Sequence, residues 1–179
     1  MCIRDSVNYA AQAKSVVDQM LFTGSNIGDL DFALPGEAAF DAGTQADRVH
    51  HVFHPDGGGL NPGTFAADIT LPGTNPTTDW HMARFNDVDW TIAASDIILT
   101  AYRIPREICE NINEKVTGNT AIPVIAGAIE TVLVQDTRHS GVNVNLDIAD
   151  CPDCEGFSSL CVSNTAADTF AFYNLMTDR

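Results

Sequence analysis

The sequence predicts an α+β fold, in which an N-terminal amphipathic helix packs on an antiparallel sheet, with a second short helix and a cysteine-containing C-terminal loop. Three observations predict it. Apolar residues recur with helical spacing over residues 7–22. Short segments rich in β-branched and aromatic residues follow, separated by turns, and this order favours an antiparallel sheet over a βαβ array. Residues 104–117 again have helical spacing.

The first helix is predicted over residues 7–22, VNYAAQAKSVVDQMLF. No proline interrupts it, and Gly24 can adopt the left-handed conformation that ends a helix. A lone helix of this length is marginal in water, so its apolar face needs a partner. The residues predicted to pack on the sheet are Val16, Val17, Met20 and Leu21.

The predicted strands are short and follow a region rich in glycine and aspartate. Residues 79–85 alternate between two faces, as a strand requires. Residues 55–59, PDGGG, form a predicted tight turn, and residues 60–78 are predicted to be mostly loop. The other segments of strand-like composition are residues 49–54, 90–102, 129–136, 142–148, 160–162 and 170–176.

Residues 104–117 form the predicted second helix. Pro105 suits the first helical position, where its missing N–H leaves no bond unmade. Glu107 and Lys115 complement the helix dipole at its two ends, and Gly118 is the predicted stop. Its predicted apolar stripe comprises Ile108, Cys109, Ile112 and Val116.

A chain of 179 residues fits one domain with a proper core. Its start, MCIRDS, has neither the charged nor the apolar region of a signal peptide, and it fits poorly onto the helix that follows. We therefore expect residues 1–6 to be a non-native scar and residues 7–179 to form a single globular domain. On this interpretation the natural N-terminus is missing, together with any export or membrane segment.

The charge balance argues against two classes of partner. The chain has 9 basic and 24 acidic residues and a net charge of −15. Affinity for nucleic acid and for anionic membrane surfaces comes largely from Lys and Arg, so neither is an expected partner. No apolar run approaches the about 20 residues that cross a bilayer.

Five cysteines are present, of which Cys2 lies in the expected scar. The remaining four are Cys109, Cys151, Cys154 and Cys161. They allow three pairings, and spacing cannot choose among them. A bridge from Cys109 removes more entropy from the unfolded chain, about 4 kcal/mol against about 2–3 for a loop within residues 151–161, so it is slightly favoured. Disulfides would place the protein in the periplasm or outside the cell.

The spacing C-x2-C-x6-C leaves two alternatives to disulfides open. Together with Cys109, these cysteines could form a four-thiolate zinc site, although structural zinc usually joins two close pairs. They could also remain reduced in the core. Redox catalysis of the thioredoxin type is disfavoured, because no helix is predicted after the CxxC.

Three histidines cluster in the sequence HHVFHPD, close to Asp56. On a strand, His50 and His54 would share a face and could both approach a metal ion, while His51 would point the other way. The helical HExxH spacing of zinc proteases is absent. Hydrogen bonds around the turn are therefore the favoured interpretation, and the sequence predicts no metal and no cofactor.

No motif specific for catalysis is present. No serine lies in a GxSxG context. Carboxylate pairs such as Asp29 with Asp31, or Asp87 with Asp89, lie in predicted loops of an acidic chain. The sequence therefore predicts that the protein is not an enzyme.

Four stretches give the chain a resemblance to a known family: VNYAAQAKSVVDQM, FHPDGGG, IPREICENIN, and the ending SSLCVSN with FAFYNLMTDR. With the order of elements, they resemble bacterial type IV pilins and pseudopilins over most of residues 7–179. The prepilin peptidase site and the membrane half of the helix are not in the sequence. The resemblance implies a subunit anchored in the inner membrane through the missing N-terminal segment, which then packs against other pilin-like subunits through its N-terminal helix.

The leading hypothesis is a non-enzymatic structural or adhesive subunit: the soluble headgroup of a pilin-like or pseudopilin-like protein of a cell-surface filament or secretion system. It would lie at the periplasmic or extracellular face of the cell envelope. The first alternative is a secreted ligand- or glycan-binding module that uses Trp80 and Trp90. The second is a metal-dependent hydrolase built on His50, His54 and nearby acids.

Overall fold

The computed structural model describes residues 3–63, 80–85, 87–92, 95–127, 129–133 and 145–177. Predictions that fall on residues 1–2, 64–79, 134–136 and 142–144 therefore lie outside the described residues. The N-terminal helix, the antiparallel sheet, a further short helix and the C-terminal cysteines confirm the predicted α+β fold. Within the described ranges, no helix combines the length and apolar character that crossing a membrane requires.

Helix α1 spans Ile3–Phe22 and begins ahead of the predicted start at Val7. It ends where the sequence predicts, since Gly24 has a φ of +111°. The N–H of Ser25 then donates to the carbonyl of Met20 over 3.1 Å. This bond satisfies a carbonyl that has no partner inside the helix.

The inner face of α1 belongs to the core. Val17 is fully buried and Met20 nearly so. Val16 and Leu21 are half-buried against the same cluster of core residues. Helical spacing brings these four side chains to one side of α1, which is the side predicted to pack.

The segment after α1 is irregular but closely packed. It contains the 3₁₀ turn Ile27–Asp29 and the short helix α2, Gln45–Arg48. Its glycine turn lies on α1: a Cβ added to Gly58 would meet the sulfur of Met20 and a methyl of Val16, each at 2.8 Å. Only glycine allows the turn to approach the helix this closely.

The strands are β1 (Trp80–Phe85), β2 (Asp96–Tyr102), β3 (Ser159–Ser163) and β4 (Phe170–Leu175). Within the described residues they form a four-stranded sheet in the order β1-β2-β4-β3, and each neighbouring pair is antiparallel. The strands predicted over residues 79–85, 160–162 and 170–176 are thereby confirmed. The segment predicted over residues 90–102 becomes a strand only at Asp96.

Both faces of the sheet are buried, whereas many antiparallel sheets keep one face in water. Met82 and Leu99 are register partners and belong to the cluster that includes α1. Ile98 and Tyr173 belong to a second cluster on the opposite face. The residues that cover this second face include Val88, Ile125, Ile129, Leu133, Leu146, Cys151 and Cys154.

Tyr9 joins α1 to the sheet and to the loop before it. Its ring stacks on that of the fully buried Trp80, with 5.3 Å between ring centroids. Its hydroxyl donates to the carbonyl of Asn61 and accepts from the N–H of Gly63. An aromatic pair of this kind contributes about 0.5–1.5 kcal/mol beyond the area it buries.

Helix α3 (Arg106–Thr117) packs beside β3 on the same face of the sheet as α1. Gly118, with a φ of +75°, ends it as predicted, while Pro105 precedes the helix and is not its first residue. Val116, in the predicted apolar stripe, is 43% exposed. The buried position is instead Asn113, which follows Cys109 by one helical turn.

Two groups of α3 hold Cys161 of β3. Cys109 forms a disulfide with it across a sequence separation of 52 residues. The side chain of Asn113 donates to the carbonyl of Cys161 and accepts from its N–H, each over 2.8 Å. A second disulfide joins Cys151 to Cys154, beside the 3₁₀ turn Pro152–Cys154. Disulfides and the favoured pairing of Cys109 are thus confirmed, and the zinc and free-thiol alternatives are wrong.

The strand predicted over residues 49–54 is wrong. The segment forms consecutive turns, and only His51 pairs with another segment, in an isolated bridge to Asp31. The N–H of Gly58 donates to the carbonyl of His51, which closes the chain back on itself. These turn bonds replace the ladder that an extended segment would need.

The strand predicted over residues 129–136 is also wrong where it is described. Helix α4, Ile129–Leu133, occupies its first half, and these two terminal residues are both buried. A spacing of four residues places them on one face of a helix. In the segment predicted over residues 142–148, Leu146 forms an isolated bridge with Val88.

Val17→Asp should lower the free energy of unfolding by about 3–5 kcal/mol, because it leaves an uncompensated charge in an apolar contact. Ser15→Asp, on the exposed side of the same helix, is the matched control and should change that free energy by less than about 0.5 kcal/mol. Urea unfolding followed by circular dichroism measures both. An unchanged unfolding midpoint for Val17→Asp would contradict the packing of α1.

Replacing Cys109 and Cys161 together by alanine should cost more stability than replacing Cys151 and Cys154 together. The separations are 52 and 3 residues, and the chain-entropy model gives about 4 and about 2 kcal/mol respectively. Urea unfolding of the two double variants under non-reducing conditions compares the losses. Equal losses would show that loop closure does not set the contribution of each bridge.

Candidate functional site

Helix α1 presents an outward face to the surroundings. We define this outward face by the exposed residues Asn8, Ala11, Gln12, Ser15, Gln19 and Phe22. Phe22, at its C-terminal end, is 92% exposed. Ala11 and Ser15 lie one turn apart, and side chains this short let a second helix approach closely. The outward face is therefore the candidate surface for contact with another subunit.

The three histidines considered as a possible metal site have separate partners. Nδ1 of His50 is 3.0 Å from the hydroxyl oxygen of Ser25. His54 lies between Asp41 and Asp56, with nitrogen–oxygen distances of 3.4 and 3.7 Å. The predicted shared face of His50 and His54 is wrong, because the segment turns and does not extend. No group of three or more His, Cys, Asp or Glu side chains within the described ranges could hold a metal ion.

The Ser25–His50 pair has the atoms of a nucleophile and a base, but its surroundings do not suit that chemistry. The N–H groups of Ser25 and Gly24 both donate to carbonyls of α1, those of Met20 and Leu21. The C-terminal end of a helix carries negative partial charge, which disfavours a developing oxyanion. The pair instead ties the histidine segment to the end of α1.

The two tryptophans proposed for ligand binding are engaged in packing. Trp80 is fully buried beneath Tyr9. Trp90 is half-buried, and its ring N–H donates to the carbonyl of Phe157 over 3.2 Å. The ring of Trp80 is therefore not accessible to a ligand, contrary to the use proposed for it in the binding-module alternative.

The carboxylate pairs noted in the sequence organise loops. Asp29 accepts from the side chain of Asn26 over 2.9 Å, and this hydrogen bond is the main reason that the pKa of Asp29 is lowered. Asp31 accepts from a backbone N–H two residues further on. Asp89 accepts from the N–H of Ile148 over 2.8 Å. Each of these three carboxylates thus accepts a hydrogen bond that orders a loop, and the bond to Asp89 joins two segments 59 residues apart.

Asp96, at the start of β2, is a buried carboxylate that sequence reasoning did not identify. It is fully buried, and its Oδ2 accepts from the N–H of Val88 and the hydroxyl of Thr91 over 3.1 and 2.9 Å. Its Oδ1 has no hydrogen-bond partner in the described part of the chain. Burial raises the pKa of Asp96, and the nearby charge of Asp87 acts in the same direction. Asp96 holds residues 87–92 against the sheet.

Comparison of the chain with protein-family models, with curated proteins and with solved structures finds no match. The roles of the residues therefore depend on the geometry of this chain. That geometry offers an exposed helix face, two disulfides and polar side chains engaged in loop structure.

Asp96→Asn should change how stability depends on pH. The folded-state pKa of Asp96 is raised. The stability that protonated Asp96 gives the fold is therefore fully present below about pH 4 and is lost as the pH rises through the folded-state pKa. Asparagine keeps the acceptor for Val88 and Thr91 but cannot ionise. The stability of Asp96→Asn relative to the wild type should therefore increase from pH 4 to pH 7, as measured by urea unfolding at each pH.

The control for this experiment is Asp153→Asn, at an exposed position of the C-terminal loop. Its stability should follow the wild-type pH profile. A constant difference between Asp96→Asn and wild type across the range would show that ionisation of Asp96 does not oppose folding.

Proposed function

We propose that the chain is the globular headgroup of a pilin-like or pseudopilin-like protein, and acts as a non-enzymatic structural or adhesive subunit of a cell-surface filament or secretion system. The observation that supports this most is the division of α1 into two faces. The inner face, with Val17 and Met20, is held in the core, while the outward face is exposed along the helix. A subunit that packs helix against helix needs such a face.

The disulfides support a location outside the reducing cytosol, where such bonds persist. Cys109–Cys161 and Cys151–Cys154 are all fully buried, so they stabilise the fold and are not positioned for thiol exchange. The proposal places the domain on the periplasmic or extracellular face of the cell envelope. Anchoring in the inner membrane before assembly would depend on an apolar segment ahead of residue 7.

The outward face suits contacts with copies of the same helix. Ala11 and Ser15 offer small side chains at its centre, and Phe22 offers a large apolar one at its end. Lys14 and Asp18, which flank this face, already form an ion pair at 3.9 Å. The proposed subunit contact therefore depends on shape and apolar area more than on charge.

Crosslinking of the assembled protein tests this proposal. The complete gene is expressed in its source cells with Ser15→Cys on the outward face, and surface filaments are treated with a short bis-maleimide. We expect a crosslinked dimer, because neighbouring helices bring these positions together and each subunit offers one introduced thiol. Ala166→Cys, exposed in the turn between β3 and β4, is the matched control and should give monomers.

Two results would count against the subunit proposal. Monomers only from Ser15→Cys, or crosslinked dimers in equal yield from both variants, would mean that α1 does not mediate assembly. The gene itself gives a second readout, since the proposal requires about 20 apolar residues ahead of codon 7. A polar sequence there would leave the helix without its proposed anchor.

A further inference from the structure

A buried histidine lies between two carboxylates in the loop after α2. The side chain of His54 has Nε2 at 3.4 Å from Asp41 and Nδ1 at 3.7 Å from Asp56. Its ring packs on that of Phe40, with 4.9 Å between centroids. The ring of His51 stands perpendicular to it at 6.1 Å, and Nδ1 of that ring bonds to the Phe40 carbonyl. His54 itself is 8% exposed.

A backbone hydrogen bond sets the position of the proton on neutral His54. The N–H of Asp56 lies 3.0 Å from His54 Nδ1 and points at it. A backbone N–H can only donate, so Nδ1 must be the acceptor, and a neutral ring then has its proton on Nε2. That proton faces the carboxylate of Asp41. The described arrangement is therefore that of the uncharged ring.

We propose that protonation of His54 switches the turn at Asp56 between two arrangements. A proton on Nδ1 places two donors opposite each other, so the N–H of Asp56 loses its acceptor. The charged ring then pairs with the carboxylate of Asp56, which the neutral form holds 3.7 Å away. Its contact with Asp41 becomes an ion pair. The charged and titratable groups shown against the ring within the described ranges are Asp41, Asp56 and His51, and Arg48 pairs with Asp56.

Arg48 keeps the carboxylate of Asp56 close in both arrangements. Its Nε donates to Asp56 Oδ2 over 3.1 Å, and a second guanidinium nitrogen donates to the carbonyl of Gly43. The switch therefore needs only a small movement of Asp56 toward the ring.

The glycine turn after Asp56 transmits the change to α1. The N–H groups of Gly57 and Gly59 both donate to the carbonyl of His54 over 2.9 Å. Gly58, between them, lies against the inner side of α1. A shift at Asp56 therefore alters a turn that covers the helix, and acidification remodels this part of the surface.

A ¹H–¹⁵N NMR titration of the intact chain from about pH 8 to pH 5 tests the proposal. In the wild type, the amide signals of Asp56 and Gly57 should shift with the same midpoint as the ring signals of His54. His54→Asn keeps an acceptor near the position of Nδ1 but cannot be charged, so its amide signals should stay constant. His50→Gln removes a neighbouring ring that bonds elsewhere, and it should behave like the wild type.

Two outcomes overturn the proposal. One is an Asp56 amide signal that stays constant while the His54 ring titrates. The other is a shift of equal size in His54→Asn. Where His54→Asn does not fold, the comparison of ring and amide midpoints in the wild type and in His50→Gln decides the question.

Discussion

The stacking of Tyr9 on Trp80 is the contact on which the arrangement of the molecule depends. It fixes the position of α1 on β1, the first strand of the sheet order. The same tryptophan packs edge-on against Phe172 of β4, with 6.1 Å between centroids, so the contact reaches across the sheet. The hydroxyl of Tyr9 extends it to the loop at Asn61 and Gly63. Helix, sheet and loop share one buried junction, and none can move without disturbing the others.

Much of the fold can be predicted from the sequence, because burial of one face leaves a period in the chain. This is why α1, α3 and most of the C-terminal strands are found. The same reasoning fails over residues 49–54, where β-branched and aromatic composition suggests a strand. There the carbonyl of His51 accepts a hydrogen bond from the N–H of Gly58, a residue of the following turn. Composition contains no information about such bonds, since they depend on how the glycine turn closes.

Some of the candidate site residues can likewise be predicted from the sequence, and others cannot. A bridge from Cys109 can be favoured from the sequence, because loop-closure entropy depends only on separation along the chain. Which of the three C-terminal cysteines it joins cannot be predicted in this way. That His50 and His54 have different partners cannot be predicted, because it depends on where the folded loop places Ser25 and Asp41. The sequence does not indicate that Asp96 is buried, because a polar residue before an apolar run is typical of an exposed strand start. Its burial depends on donors that only the folded loop brings to it.

The amide of Asn113 has a consequence for how this protein tolerates crowding. An open strand edge offers unpaired N–H and C=O groups to any neighbouring chain and so seeds aggregation. At the edge of β3, the backbone groups of Cys161 are already taken by this amide, and those of Ser163 bond to Pro123 and Ile125. The side chain occupies the place of a fifth strand. At this edge, a molecule held alongside at high local concentration therefore finds no free backbone groups on Cys161 and Ser163 to which it could add a strand.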